Sequence, residues 1–462
     1  MRFPEAFDGC FGQVHFGDAP VEPRRRRRLV RLADQILAHP QGTLPDKIPD
    51  PHQLDAAYRL FKADQVSHHA ALDAHTRLTH RRMAEHQGDV VLVAHDDTLL
   101  DFSHLGASAE LGPIGNGNGK GFVCHNSLAL TPGREALGLA HQILYCHPPR
   151  GSKRQRPGPA GRLWRDGVAA VPPAPAGKRY VHLMDRAGDI TEVLDYADEH
   201  GLPVVVRSQH DRSCEVDSQM TKLHEAAPAW QAMGPAREVR VASQKGRPER
   251  QAAVLIAWRQ VTLRPPANGR GRERGVPLVV WAVRVWEPEP PAGVEAIDWL
   301  LLTNVAVDAL GDAWQRVAWY ACRMVVEDYH KGMKTGVSIE ELQLTTRGRL
   351  EAAIAVLSVV AVVLLAVRDA GRAAATAARP ASEWIPPVWV EVLSLWRHKQ
   401  ARPGWSVGEF LMALGRLGGH QNRPSDGAPG WLTLWRGWAK LQPMLQGAAL
   451  ASASQQKRSG GT

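Results

Sequence analysis

Tyr320, Arg323, Glu327 and Lys334 lie in the stretch WYACRMVVEDYHKGMKTG at offsets of zero, three, seven and fourteen. On a helix at about 100° per residue these offsets project at roughly 0°, 300°, 340° and 320°, one narrow stripe. The stripe carries an aromatic hydroxyl, one acid and two cations. A carboxylate flanked by cations suits a metal ion beside a phosphate group. A solvated ladder of i,i+4 charges would have the same spacing. The neighbours favour the first reading, because Met324, Val325 and Val326 are apolar and a strongly apolar helix follows. Charge in such a place is partly buried, and costly unless something binds it.

Two more acids stand where they can meet this stripe. The run Asp89 to Ala94 reads as a strand ending in His95-Asp96-Asp97-Thr98, and Tyr180 to Met184 as a strand ending in Asp185-Arg186. Strand ends are where α/β sheets hold their chemistry. Asp97, Asp185 and Glu327 in one cleft would repel one another unless a cation sat among them. All-oxygen ligation selects Mg²⁺, with Mn²⁺ as a substitute. Two such ions activate water or a 3′-hydroxyl and stabilise the leaving oxygen of a phosphodiester. Strand alternation groups Asp97 with Val91 and Val93, and Asp96 with Leu92 and Ala94, and leaves open which acid faces inward.

The elements that would position these residues can be read along the chain. Residues 1–72 form a helical, basic segment: Arg24, Arg25, Arg26, Arg27 and Arg28 lead into the amphipathic LVRLADQILAHP, ended by Pro40. A second helix covers LDAAYRLFKA. Residues 73–370 form an α/β domain. Its order is a strand over 89–94, the strands FVCHNSLALT and ALGLAHQILYC, the strand Tyr180–Met184, a helix over 190–200 and the strand PVVVRS ending near Arg207. Residues 237–298 alternate at period two and read as an inserted β-meander with arginine-studded loops. Residues 371–462 form a helical domain rich in tryptophan, with Trp431, Trp435 and Trp438 on one face, read as core or as a subunit contact. The tail SASQQKRSGGT reads as disordered.

The totals agree with a nucleic-acid partner. The chain has 462 residues and a formal net charge of +9, which favours a polyanion, nucleic acid before membrane. Five scattered cysteines without C-x-x-C spacing indicate no zinc site or disulfide framework, and fit a reducing cytoplasm. The apolar run Ala352 to Val367 is about sixteen residues, short of a bilayer span, and reads as a buried core helix rather than a membrane segment.

The motifs together resemble the bacterial DDE-type insertion-sequence transposases that carry a Tyr-Arg-Glu-Lys signature, insertion-sequence family four, relatives of the transposon-five transposase. The signature Y-x2-R-x3-E-x6-K matches at Tyr320, Arg323, Glu327 and Lys334, and continues into His330-Lys331 and Lys334-Thr335-Gly336. The first acid matches at Asp97-Thr98 and the second at Asp185, followed by Val205-Val206-Arg207-Ser208. Phe16-Gly17-Asp18, the arginine run and Tyr58-Arg59 resemble the end-binding domain, and Trp431 to Trp438 the dimerisation domain.

The resemblance implies a ribonuclease H-like catalytic domain with a β-insert, and a homodimer that pairs two transposon ends of double-stranded DNA. It also implies Mg²⁺-dependent cleavage through a hairpin, joining to target DNA, and a bacterial, nucleoid-associated protein. Carried over, Asp97, Asp185 and Glu327 bind two metal ions, while Tyr320, Arg323 and Lys334 hold phosphate. Arg207 would contact DNA or pair with an acid. Trp299, at the start of WLLLTN, would stack an extruded base or fill core. His125 and His141 read as structural histidines. Two other functions share the fold: a catalytically silent DNA-binding regulator, and a metal-dependent, structure-selective nuclease without strand transfer.

Overall fold

In the computed structural model the protein is described over residues 10–105, 111–115, 119–148, 160–241, 250–265, 276–372, 374–423 and 426–459. Four helices of more than one turn open it, α1 (Phe11–Phe16), α2 (Pro23–Ala38), α3 (Pro51–Phe61) and α4 (His68–Glu85), with a single turn, Leu44–Lys47, between α2 and α3. Pro23 starts α2 with a preset φ, and Leu29, Leu32, Ala33, Ile36 and Leu37 bury one face. Asp50 caps α3 through Gln53 N–H, and Ser67 caps α4 through Ala70 N–H. Helix α4 passes residue 72 without a break. Beyond that point it packs on the sheet, where Leu139 N–H donates to His75 Nε2 at 3.0 Å.

The sheet begins with β1 (Val90–Asp101), β2 (Lys120–Leu130) and β3 (Ala136–Tyr145), an antiparallel trio. Helix α5 (Ala160–Ala169) follows, then β4 (Arg179–Met184), α6 (Thr191–Glu199) and β5 (Val204–Arg207). Both β4 and β5 run parallel to β1, giving the order β3-β2-β1-β4-β5. This is the expected succession of three strands and then strand–helix–strand.

The insert differs from expectation in two ways. A hairpin, β6 (Ser213–Val216) and β7 (Gln219–Lys222), precedes it. Its turn residues Asp217 and Ser218 both take positive φ, 48° and 64°, the geometry that matches strand twist. The segment is too short and polar for its alternation to stand out. Then β8 (Arg237–Val241), β9 (Arg250–Leu263), β10 (Leu278–Trp286) and β11 (Asp298–Thr303) do not form a separate layer. Leu301, Leu302 and Thr303 lie opposite Arg207, Val206 and Val205, so the insert extends the main sheet beyond β5. The arginine-rich loops expected to grip phosphate, around 242–249 and 266–275, lie outside the described residues, as does most of the loop from Pro148 to Gly161.

Helices α7 (Leu310–Cys322) and α8 (Met324–Lys331) follow, then α9 (Arg347–Arg372). From Ala352 to Val363 every side chain of α9 is at most 1% exposed. It packs against α2, α3, α4, β3 and the C-terminal helices, pinning the whole chain. Residues Arg347–Ala366 are apolar and long enough to cross a membrane, yet 83% of that window is buried inside the protein.

The C-terminal helices are α10 (Pro387–His398), α11 (Val407–Leu417) and α12 (Trp431–Ser459). Trp435 and Trp438 are buried within the chain. Trp438 packs edge-on against Trp389, and its indole N–H donates to Leu37 O at the end of α2, at 3.2 Å. These two rings are therefore internal core in this chain, not an outward subunit face; the Trp431 side chain lies outside the described residues. The tail expected to be disordered is helical through Ser459, as its alanine, glutamine, lysine and arginine content favours.

Candidate phosphate and metal cleft

Strand β1 is buried on both faces from Val90 to His95, so its alternating side chains enter two different interiors. Helix α8 covers one face, and α5 the other. Asp96 and Asp97 emerge where this burial ends, on opposite faces.

Asp96 points toward α8. Arg323, whose side chain is only 7% exposed, reaches Asp96 Oδ2 through Nη1 at 3.3 Å and Glu327 Oε1 through Nη2 at 2.5 Å. Burial raises the Asp96 carboxyl to about 7, with Asp185 and Glu327 adding to the rise and Arg323 opposing it. Three acids from β1, the end of β4 and α8 thus share one electrostatic neighbourhood. Burial works against the Arg323 charge, but Asp96, Tyr320 and Glu327 together hold its guanidinium above the usual value. Its Nε is buried without a hydrogen-bond partner, a donor still lacking an acceptor.

Asp185 lies just past β4, and its Oδ1 accepts Ala187 N–H at 2.8 Å, capping the turn Arg186–Gly188. Tyr320 is 4% exposed. Burial pushes its hydroxyl up, against the pull of Arg323 and Arg207. Trp299 stands edge-on to the Tyr320 ring at 5.2 Å, and the Arg207 guanidinium lies 5.9 Å from the Trp299 ring centre. Burial lowers the Arg207 guanidinium, with Tyr320 opposing, and its Nη2 donates to Asp298 O at 3.2 Å. Tyr320, Arg323, Glu327, Arg207 and Trp299 therefore form one continuous cluster, joined through Asp96 to the charge of Asp185.

Two expected members sit elsewhere. The first is Asp97, and its expected place with Asp185 and Glu327 is corrected to Asp96. Asp97 Oδ1 pairs with His125 Nδ1 at 2.6 Å, opposite it in the β1–β2 register. His125 lies against Trp164 and Gly167 of α5, where a methyl on Gly167 would come within 2.2 Å of His125 Nε2. His125 in turn meets His95, which meets His182 at 2.9 Å. Lys334 is the second. The helix widens to a π turn over Gly332–Gly336, which rotates Lys334 off the ideal stripe. It pairs with Glu340 at 3.6 Å, and Glu340 accepts Asp101 N–H.

In the N-terminal run, Arg26 donates to Ala19 O and Val21 O, and Arg25 to Gln65, so these two hold the domain together. Arg24, Arg27, Arg28 and Arg31 have no partner among the described residues and recur at i, i+3, i+4 and i+7, opposite the buried face of α2. Arg31 continues the run on that face. Arg59 forms an exposed pair with Asp55, and Tyr58 is half-buried against the core.

The donor chemistry of Asp96, Asp185 and Glu327 suits a hard divalent cation. As arranged, Arg323 supplies the positive charge between two of them, and among the described residues no three acidic, histidine or cysteine side chains close into a ligand cage. His330 belongs to the His330-Lys331 stretch that continues the signature, but spacing alone assigns it no role. It lies beside Asp96 at 3.8 Å, and burial lowers its imidazole to about 3. Its position three residues after Glu327, one helical turn on, was the available signal.

Residues 5–66 match the family model described as transposase DNA-binding. The chain thus carries a transposase DNA-binding domain, which supports DNA as its partner and a transposase, a DNA-processing enzyme, as its role.

Proposed function

We propose that this protein is a DDE-type transposase of the insertion-sequence family it resembles. It would cut transposon ends and join them to target DNA, with a hairpin on the excised end. The reading rests on one observation above all: acids from β1, the end of β4 and α8 act on one another beside Arg323, in a chain that also carries a transposase DNA-binding domain. The order β3-β2-β1-β4-β5 supports a ribonuclease H-like core.

Asp96, Asp185 and Glu327 would hold Mg²⁺. When bound, the metal activates the attacking oxygen and neutralises charge on the leaving one. The other residues act on the DNA. Arg323 carries a buried Nε without an acceptor, and a phosphate oxygen satisfies it with a charge-assisted bond. Tyr320 and Arg207 extend that grip along the backbone. Trp299, half-buried and already stacked edge-on, offers a face to an unstacked base. Lys334 and Glu340 flank the far end of β1. Arg24, Arg27, Arg28 and Arg31 dock the phosphate backbone, and two copies pair the ends.

The test is cleavage and joining of DNA carrying the element's own ends, with Mg²⁺ present. Cleavage and joining that both disappear in Glu327→Gln support the proposal. Cleavage without joining favours the nuclease, and binding without cleavage favours the silent regulator.

A further inference from the structure

Asp96 has three polar contacts among the described residues, two of them at Oδ2. Its Oδ1 accepts Asp97 N–H at 3.0 Å, while Oδ2 meets Arg323 Nη1 at 3.3 Å and faces His330 Nδ1 at 3.8 Å. If Arg323 turns to a DNA phosphate, His330 is the remaining side chain beside Oδ2.

The polarity of His330 can be traced to the backbone. Asn126 Nδ2 donates to Cys124 O at 3.3 Å, and a carbonyl only accepts, so Nδ2 is the donor side of that amide. The same Nδ2 reaches His330 Nε2 at 3.0 Å, which must therefore be unprotonated. The Asn126 oxygen accepts from Gln142 Nε2 at 2.7 Å, Gln142 Nε2 also donates to Ser358 Oγ at 3.0 Å, and the Gln142 oxygen meets His68 Nε2 at 2.9 Å. Asn126, Gln142 and Ser358 are at most 3% exposed. Each bond agrees with its neighbour in direction, as a buried polar chain requires. With Nε2 accepting, the ring proton of the neutral imidazole is on Nδ1, the atom that faces Asp96.

We propose that His330 is a positioning residue for Asp96: Asn126 holds its imidazole in the Nδ1–H form, and that proton restrains the carboxylate through Oδ2. This rests on Asp96 being a metal ligand. The network ties α8 to β2, β3, α9 and the first turn of α4, so four other elements hold the His330 ring in place.

Two measurements test it. Nitrogen NMR of the histidine side chains in the full chain, near pH 7.5, should show a neutral Nδ1–H imidazole that vanishes in His330→Gln. An Nε2–H form or an imidazolium at this residue overturns the proposal without need of a folded variant series. Second, Mn²⁺ alone is titrated into wild type, His330→Gln, His330→Leu and Asp96→Asn. Gln keeps an acceptor for Asn126 and a donor for Asp96, whereas Leu keeps neither. Mn²⁺ affinity should fall about 10- to 100-fold in His330→Leu, as for other outer-shell partners of metal ligands, and stay within about threefold of wild type in His330→Gln. In end cleavage, the Leu variant should raise the Mg²⁺ concentration required while the rate at saturating Mg²⁺ recovers. Equal effects of Leu and Gln overturn the role of His330. An Asp96→Asn protein that binds Mn²⁺ as wild type does overturns the metal reading beneath it.

Discussion

Asp96 and Asp97 are neighbours on one strand, yet their surroundings share almost nothing. Asp96 meets a guanidinium and two further acids, in a cleft with an arginine donor left unsatisfied. Asp97 meets His125, and behind it His95 and His182 run inward through the other face. Burial lowers His182 to about 4 and His95 well below its usual value, so these two imidazoles are neutral at pH 7. One face therefore gathers charge that needs a cation, and the other hides uncharged rings. The difference comes from what packs on each side of β1: α8 with its arginine, or α5 with Trp164 and Gly167.

The largest effects should fall on the Asp96 face. Asp185→Asn or Glu327→Gln should reduce end cleavage on the order of 10³-fold, several kcal/mol at about 1.4 kcal/mol per decade, with end binding retained in a gel-shift assay. Retained cleavage would remove that acid from the cleft. Next is Arg323→Gln, which leaves Asp96 and Glu327 without their counter-charge. It should lower unfolding stability by about 1–3 kcal/mol in denaturant titrations. Combined with Asp96→Asn, the total should be smaller than the sum of the two single losses, because the variants remove one shared interaction.

Acid should act with opposite sign through Asp96 and through the His95–His182 pair. His95 and His182 have folded values below the unfolded one near 6.5, so the unfolded chain binds more protons between. Stability is therefore lost as pH falls below about 6.5, by about 1.4 kcal/mol per unit per histidine. Asp96, at about 7 when folded, binds its proton more tightly in the folded state, so between pH 7 and 4 acid favours folding through it. Denaturant midpoints at pH 7.5, 6.5 and 5.5 should show a shallower acid loss in His182→Gln and a steeper one in Asp96→Asn. The smallest effect belongs to Asp97→Asn: an amide still offers His125 a hydrogen-bond partner, and stability should change by about 1 kcal/mol or less.

The parts legible in the sequence were those where one physical rule dominates. Helical spacing brought Tyr320, Arg323 and Glu327 together, and the observed cluster follows it. Length and composition identified α9 as a core helix. The choice between Asp96 and Asp97 was not legible, because residues 90–95 are buried on both faces and hydrophobic alternation carries no information there. Lys334 escaped because an α-helical projection does not contain a π turn. For Trp435 and Trp438 spacing made a core face the default and left a subunit contact open. Only the docking of α12 on the end of α2, through Trp438 and Leu37, decides for core in this chain.

The central claim is that Asp96, and not Asp97, is the first acid of the cleft. Asp96→Asn and Asp97→Asn should be compared side by side for Mg²⁺-dependent cleavage of DNA carrying the element's ends, with end binding measured on the same preparations. Asp96→Asn should bind DNA but lose cleavage on the order of 10³-fold, while Asp97→Asn should stay within about tenfold of wild type. Cleavage that survives in Asp96→Asn and is abolished in Asp97→Asn would contradict it.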